Sequence, residues 1–162
     1  RLYATYNKLQ TAASTVFRQI AWFQAEYEIH EKVRSNGRIT AEELTSLRRK
    51  HMEASIGKAA SFSKEDGWAW VVHSHIRYFF YVYSYAYGSL ISTALYAKYQ
   101  SDPKFIEKIN YFLSAGESMS PYDIFKSMGI DTTKPDFWNL GLKSIDQKIT
   151  ELEKECKKLN LI

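Results

Sequence analysis

The sequence predicts an all-α protein that folds as a multi-helix bundle. Apolar residues recur at steps of three and four along most of the chain, which is the spacing of one helix face. Capping and stop signals divide this pattern into segments, and prolines and glycines are few. Only residues 81–87 alternate as a strand does, and no second strand is available to pair with them.

The first third of the chain predicts two helices. One long helix covers about residues 2–35 and is closed by the glycine at position 37. Thr40 and Glu43 then form a capping box, which opens a second helix that ends near Ile56. The apolar positions that define the first helix are Val16, Ile20, Phe23, Tyr27 and Ile29.

The middle of the chain is less regular until an aromatic run begins. Residues 58–67 are polar, and residues 68–77 have room for one or two turns only. Downstream of the tyrosines, the segment GSLISTALYAKYQ keeps helical periodicity. We therefore predict a helix over about residues 79–100.

Three more helices are predicted towards the end of the chain. Asp102 and Ser120 are N-cap residues, and each is followed by a proline at the first helical position. The helices that they open are predicted to stop at Gly116 and Gly129. A last helix follows Pro135 and carries a long apolar stripe.

The charge pattern does not indicate a nucleic-acid-binding protein. The chain has 22 basic and 18 acidic residues, a net charge of +4. Its basic runs, Arg48–Lys50 and Lys154–Lys158, are short and have glutamates beside them, so we expect solvated helix faces rather than a phosphate-binding surface.

Other features bear on compartment and completeness. No stretch of about 18 apolar residues is present, so no membrane span or membrane partner is expected. Cys156 is the single cysteine, which excludes an internal disulfide and fits a cytoplasmic protein without a signal peptide. The chain begins at Arg1, inside a helical pattern, and we therefore expect it to be a piece of a longer protein.

The stretch HIRYFFYVYSYAYG, residues 75–88, carries the main functional signal. On a helix, Tyr81 and Tyr85 share one face, and Tyr83 and Tyr87 share another. A buried hydroxyl without a partner costs about 1–3 kcal/mol, so these phenols need hydrogen-bond partners or a wet cavity. Two interpretations are open: rings that fill a helical core, or the polar wall of a ligand cleft that also includes His75.

These residues resemble a known family. His75-Ile76-Arg77 followed by FYVYSYA is similar to a signature near the end of oligoendopeptidase F-type enzymes, the thimet-like zinc peptidases. Three further segments resemble that family in the same order, so that the resemblance covers nearly the whole chain. They are VFRQIAWFQAEYEIHE, FLSAGESMSPYDIFKSMGID and PDFWNLGLKSIDQKITELE.

The resemblance implies an all-helical, zincin-type peptidase domain, of which residues 1–162 would be the C-terminal part and one helical unit. In this family zinc is held by a His-Glu-x-x-His helix and a later glutamate. The chain contains no such motif, so the zinc ligands are expected upstream, in another part of the same protein. Alone, the chain should not hydrolyse peptides.

The resemblance also implies which residues face the substrate, an oligopeptide. Catalytic roles fall on His75 and Tyr81, as neutral donors to the oxyanion that forms during peptide hydrolysis. Tyr83 and Tyr85 are assigned to substrate binding. Arg77 either holds a substrate carboxylate or pairs with an acid in the core. His73 competes with His75 as the site histidine.

Other candidates are assigned to structural roles. His30 and His51 are expected on solvated helix faces, and so are three neighbouring carboxylates of the first helix, which are Glu26, Glu28 and Glu31. Ser120 is a cap residue and not a nucleophile. The alternative function is a stand-alone helical binding module with an aromatic cleft and no catalytic activity.

Overall fold

The computed structural model describes residues 2–162 and confirms the all-α class. No β-strand occurs within these residues. None of the helices in this range combines the length and the apolar character that crossing a bilayer requires. The α-helices are α1 (Leu2–Ala12), α2 (Arg18–Asn36), α3 (Ala41–Ile56), α4 (Tyr83–Ser101), α5 (Ile106–Ala115), α6 (Pro121–Ser127) and α7 (Pro135–Lys158).

The predicted first helix is present, with one irregularity. A π-helical turn, Ala13–Phe17, joins α1 to α2, and the residues on either side of it keep right-handed helical backbone angles. Gly37 ends α2 with a φ of +81°, and its N–H donates to the Val33 carbonyl at 2.8 Å. Glycine adopts such an angle without a steric penalty, which is why the stop was readable from the sequence.

The predicted cap of α3 is also confirmed. The Thr40 hydroxyl accepts from the Glu43 N–H at 3.2 Å, and the Glu43 carboxylate accepts from the Thr40 N–H at 2.9 Å. The Ser120 hydroxyl caps α6 by accepting from the Asp123 N–H at 3.2 Å, and it donates to the Asp123 carboxylate at 2.6 Å. The bonds that the two hydroxyls accept satisfy amides that have no partner inside the helix.

Residues 57–77 form short 3₁₀ helices instead of longer elements. Gly57–Ala59 extends the end of α3, and Glu65–Val71 and Ser74–Arg77 follow after an irregular stretch. The first of the latter two packs against α3 at Gly67. This agrees with the prediction of one or two turns over residues 68–77.

The chain divides into two compact units, one of which is Thr11–Tyr87. Its core gathers Ala21 and Trp22 of α2, Met52 of α3 and the fully buried Val82.

Arg48 was predicted to lie on a solvated face, and that prediction is wrong: the residue is only 8% exposed. Its guanidinium lies 4.8 Å from the centre of the Trp22 ring, and it donates to the Asp66 carbonyl. The apolar stem and the cation both find partners inside the unit.

The other unit consists of Gly88–Ile162 together with the residues up to Gln10. Phe125 is fully buried, with ring centres 5.1 Å from Phe112 and 5.6 Å from Phe137. Gly141 of α7 lies so close to Leu90 of α4 that a Cβ would be 2.9 Å from the Leu90 carbonyl oxygen. The aromatic cluster and this backbone contact hold the helices of the unit together.

Candidate functional site

The aromatic run does not begin as a helix. Phe79 and Phe80 have φ angles of +35° and +60°, and α4 starts at Tyr83. Positive φ is incompatible with a right-handed helix, so the prediction that the helix begins at about residue 79 is wrong. Tyr81 therefore precedes α4 and does not share a helix face with Tyr85.

The turn nevertheless brings the predicted residues together. The Tyr85 hydroxyl lies 2.9 Å from His75 Nε2. The Tyr81 ring stacks on the His75 imidazole, with ring centres 5.4 Å apart and an angle of 11° between their planes. Tyr81 and Tyr85 meet edge to face at 5.5 Å. We call these three residues the His75 cluster.

The phenol of Tyr85 keeps its proton at neutral pH. The pKa of Tyr85 is raised, chiefly by its hydrogen bond with Tyr81 and then by burial, so this phenol is neutral at pH 7. When His75 Nε2 carries no proton, Tyr85 donates to it; when it carries one, Tyr85 accepts. Tyr81 is 44% exposed, so the cluster is open to solvent and not sealed in dry packing.

Tyr83 lies apart from the His75 cluster. Its ring meets that of Tyr87 edge to face at 6.1 Å, and Tyr83 itself is 52% exposed. Burial, followed by the neighbouring Tyr83, raises the pKa of Tyr87. The rings of both tyrosine pairs predicted from sequence spacing are thus in contact, and the pair of Tyr81 and Tyr85 also contacts His75.

Arg77 bonds to the backbone of its own segment. The side chain is exposed, and its guanidinium donates to the Val71 carbonyl at 3.0 Å and to the His73 carbonyl at 3.5 Å. No pair of Arg77 with a core acid is found among residues 2–162. Binding of a substrate carboxylate stays a prediction.

His73 lies behind His75 and against the core. Its ring stacks on Trp22 at 4.4 Å and lies 5.0 Å from the His75 ring. Burial lowers the pKa of His73, and the neighbouring His75, Arg18 and Arg48 lower it further, so the imidazole is neutral at pH 7. The Nε2 atom is buried without a hydrogen-bond partner among residues 2–162. His73 thus lies between Trp22 of the core and His75.

Glu26 differs most clearly from its predicted environment. It was predicted to face water, yet it is only 2% exposed, and its Oε1 accepts from the Phe80 N–H at 2.6 Å. Burial raises the pKa of this carboxyl. The spacing of the sequence could have indicated this burial. Glu26 lies four residues after Trp22 and one after Ala25, on the face of α2 that is buried. His30 was also expected to be solvated, and instead its ring lies 4.9 Å from that of Phe80.

The other carboxylates of α2 divide between an ion cluster and the surface. Glu28 Oε2 lies 2.7 Å from both Lys50 Nζ and His51 Nε2, which corrects the prediction that Glu28 and His51 are simply solvated. These two hydrogen bonds lower the pKa of Glu28. Glu31 faces solvent as predicted and pairs with Arg34 at 2.6 Å.

A cavity of about 650 Å³ lies beside this ion cluster, between α2 and α3. It does not include the His75 cluster. Its wall is formed by Phe23, Gln24, Tyr27, Glu28, Glu31, Lys50, His51 and Ala54.

The part of the chain that the structure describes does not provide a metal site. No group of three or more histidine, cysteine, aspartate and glutamate side chains within residues 2–162 is placed to hold a metal ion. The His-Glu-x-x-His helix and the later glutamate that the resemblance implies are therefore not represented among these residues.

Comparisons with known proteins give consistent matches. The sequence profile described as Peptidase family M3 matches residues 3–144. "Oligopeptidase PepF" of Bacillus subtilis (strain 168) is 31% identical over 160 residues, which are 98% of this chain and 24% of that protein. An "Oligoendopeptidase F homolog" of Lactococcus lactis subsp. lactis (strain IL1403) is 30% identical over 155 residues, 93% of this chain and 25% of that protein. The chain thus spans about a quarter of the length of the curated relatives it matches. No solved structure matches.

Proposed function

The chain belongs to peptidase family M3, as its resemblance to oligoendopeptidase F-type enzymes predicted, and we propose that it is part of a peptidase that cleaves oligopeptides. In this proposal residues 1–162 form one wall of the substrate cleft. The zinc ligands that the resemblance implies would lie in another part of the same protein, upstream of residue 1, since the sequence of this chain has no His-Glu-x-x-His motif.

The observation that carries the proposal is the contact of His75 with Tyr81 and Tyr85 in a partly exposed cluster. When a peptide bond is attacked, its carbonyl oxygen acquires negative charge. A neutral donor that is already oriented towards that oxygen stabilises the charge without reorganising at the moment of reaction. Phenols suit this task because they keep their proton at neutral pH.

Each residue of the His75 cluster has a distinct task in this scheme. Tyr81 is the donor, since it is the most exposed of the three and its ring is held by stacking on His75. Tyr85 fixes the imidazole through the bond to Nε2, and its ring meets that of Tyr81 edge to face. His75 would contact the peptide through the other side of its half-buried ring.

Three neighbouring residues extend this wall. Arg77 and Tyr83 are exposed, which suits contacts to a peptide carboxylate and to its backbone. His73 is neutral and stacked on Trp22, so it supports His75 from behind.

The test is Tyr81→Phe in the full-length protein, assayed with a fluorescence-quenched oligopeptide. Loss of one preorganised donor is expected to lower kcat by about 100-fold and to leave KM nearly unchanged. Bound zinc should match the wild type, which separates this effect from loss of the metal. Tyr96→Phe is the matched control, because Tyr96 is an exposed tyrosine of α4 outside the site. Wild-type turnover in Tyr81→Phe would exclude Tyr81 from the reaction.

A further inference from the structure

The turn that presents Tyr81 has an unfavourable backbone. Phe79 and Phe80 both have positive φ, at +35° and +60°. Bulky side chains rarely adopt this region, because Cβ approaches the backbone carbonyl. Such a turn persists only where its surroundings hold it, so its contacts identify what sets its shape.

One face of α2 holds the turn. Glu26 Oε1 accepts from the Phe80 N–H at 2.6 Å, across 54 positions of sequence. The Phe80 ring lies 5.6 Å from that of Phe23 and 4.9 Å from that of His30. Because Phe23, Glu26 and His30 are spaced by three and four residues, they project from the same face of the helix.

Two fixed points therefore flank Tyr81. On one side the Phe80 amide is bonded to Glu26, and on the other side Val82 is fully buried in the core with Trp22. The ring of Tyr81 lies between these points and stacks on His75. Releasing the Phe80 amide would free one of the two ends that orient this ring.

A carboxylate is a costly choice for this position. Glu26 is 2% exposed, its Oε2 atom has no hydrogen-bond partner among the described residues, and His30 Nε2 is 4.0 Å from Oε1. An apolar side chain of the same size would fill the space without burying a charge. What the carboxylate adds is an acceptor for the amide of a turn that needs one.

We propose that Glu26 is a positioning residue: through the Phe80 amide it fixes the Phe79–Phe80 turn and so sets the ring of Tyr81 on His75. What Tyr81 then does to a peptide rests on the proposed function. The positioning itself is a statement about conformation, so it can be measured without any activity.

Hydrogen exchange in the full-length protein tests the conformation directly. Glu26→Met keeps the volume and removes the acceptor, and exchange in peptides covering residues 78–82 is expected to accelerate by about 10- to 100-fold, the range for loss of a bond to a charged group. Glu26→Gln keeps a carbonyl acceptor and is expected within about fivefold of the wild type. Glu31→Met is the matched control on the exposed side of α2. Unchanged exchange in Glu26→Met would overturn the proposal.

Peptide turnover tests the consequence for Tyr81. Glu26→Met is expected to lower kcat at least about tenfold with little change in KM, whereas Glu26→Gln retains most activity. A residue that merely fills space would give the two variants the same kcat, because methionine packs as well as glutamine. The positioning role would be refuted if Glu26→Met accelerates exchange but leaves kcat unchanged while Tyr81→Phe lowers it.

A second substitution should compensate. Phe79 is 80% exposed, and Phe79→Gly relieves the strain at one of the two positive-φ positions without opening the core. The double variant E26M/F79G is expected to recover kcat relative to E26M. If E26M alone does not fold, the double variant E26M/F79G should fold. A double variant that recovers neither folding nor kcat would contradict the proposal. Should Tyr81→Phe prove fully active, the proposed function fails, and the exchange data still decide whether Glu26 holds the turn.

Discussion

Gly67 offers the most direct test of how the segment that leads to His73 and His75 is held. It lies in the 3₁₀ helix Glu65–Val71, against α3, where a Cβ would be 2.5 Å from Thr45 Cγ2 and 3.0 Å from the Thr45 carbonyl oxygen. Thr45 is 5% exposed, and its hydroxyl accepts from Trp70 Nε1 at 3.0 Å. Because Cγ2 and the hydroxyl turn together about χ1, the methyl group cannot move aside without breaking this bond.

The magnitude follows from these contacts. In Gly67→Ala either the segment shifts away from α3, at about 1–3 kcal/mol for overpacking, or the Trp70–Thr45 bond breaks, at about 0.5–1.5 kcal/mol. Alanine also restricts the unfolded chain, which stabilises the folded state by about 0.4–1 kcal/mol. We therefore expect Gly67→Ala to lower the free energy of opening the segment by about 0.5–2 kcal/mol.

Hydrogen exchange over residues 65–77 of the full-length protein measures this free energy. Gly88→Ala is the matched control: Gly88 lies in α4 with nothing within 4 Å of its Cβ position, so alanine there should stabilise the helix by up to about 1 kcal/mol. Thr45→Ser removes the obstructing methyl group and keeps the hydroxyl. Combined with Gly67→Ala it should recover part of the loss, giving a coupling of at least about 0.5 kcal/mol.

Two results would contradict this reasoning. If Gly67→Ala opens no more readily than the wild type, the close approach to Thr45 does not hold the segment. If Thr45→Ser and Gly67→Ala are additive, the loss arises somewhere other than the contact between Cγ2 and the new methyl group.

Two further predictions concern other parts of the chain. Hydrogen bonds from Lys50 and His51 lower the pKa of Glu28, so its ionised form stabilises the fold above the unfolded-state value near 4.5, and this contribution is lost as pH falls through the lower folded-state pKa. Glu28→Gln should therefore lower stability at neutral pH and flatten its acid dependence, which thermal melts from pH 3 to pH 7 would show; an unchanged pH profile would contradict this. Gly141→Ala places a Cβ 2.9 Å from the Leu90 carbonyl oxygen and should cost about 1–3 kcal/mol, measured as faster exchange along α7; equal exchange would mean that the helices separate freely.

The helix boundaries at Gly37, Thr40 and Ser120 were predictable because their signals are local. The bonds between Thr40 and Glu43, and between Ser120 and Asp123, involve residues three positions apart, and so both partners are visible in the sequence. The stop at Gly37 likewise depends on one residue that tolerates positive φ. Such features require no knowledge of the tertiary structure.

The shape of the site was predictable only in part. Spacing placed Tyr81 and Tyr85 together, and their contact is present, but through a turn instead of a helix face. Nothing local indicates that Phe79 and Phe80 adopt positive φ, since phenylalanine disfavours it. Their conformation depends on Glu26, far away in sequence, which helical charge patterning had assigned to solvent.

Glu26 and the Phe79–Phe80 turn both adopt locally unfavourable states, and they do so in direct contact with each other. A buried carboxylate and two phenylalanines with positive φ are each unfavourable alone. Joined by the hydrogen bond to Phe80 they stabilise each other, and the residue that follows is Tyr81. Departures from local preference concentrate at functional sites, where a required geometry outweighs local stability. On that ground the Phe79–Phe80 turn, and not the helix that follows it, is the element through which changes in α2 should reach Tyr81.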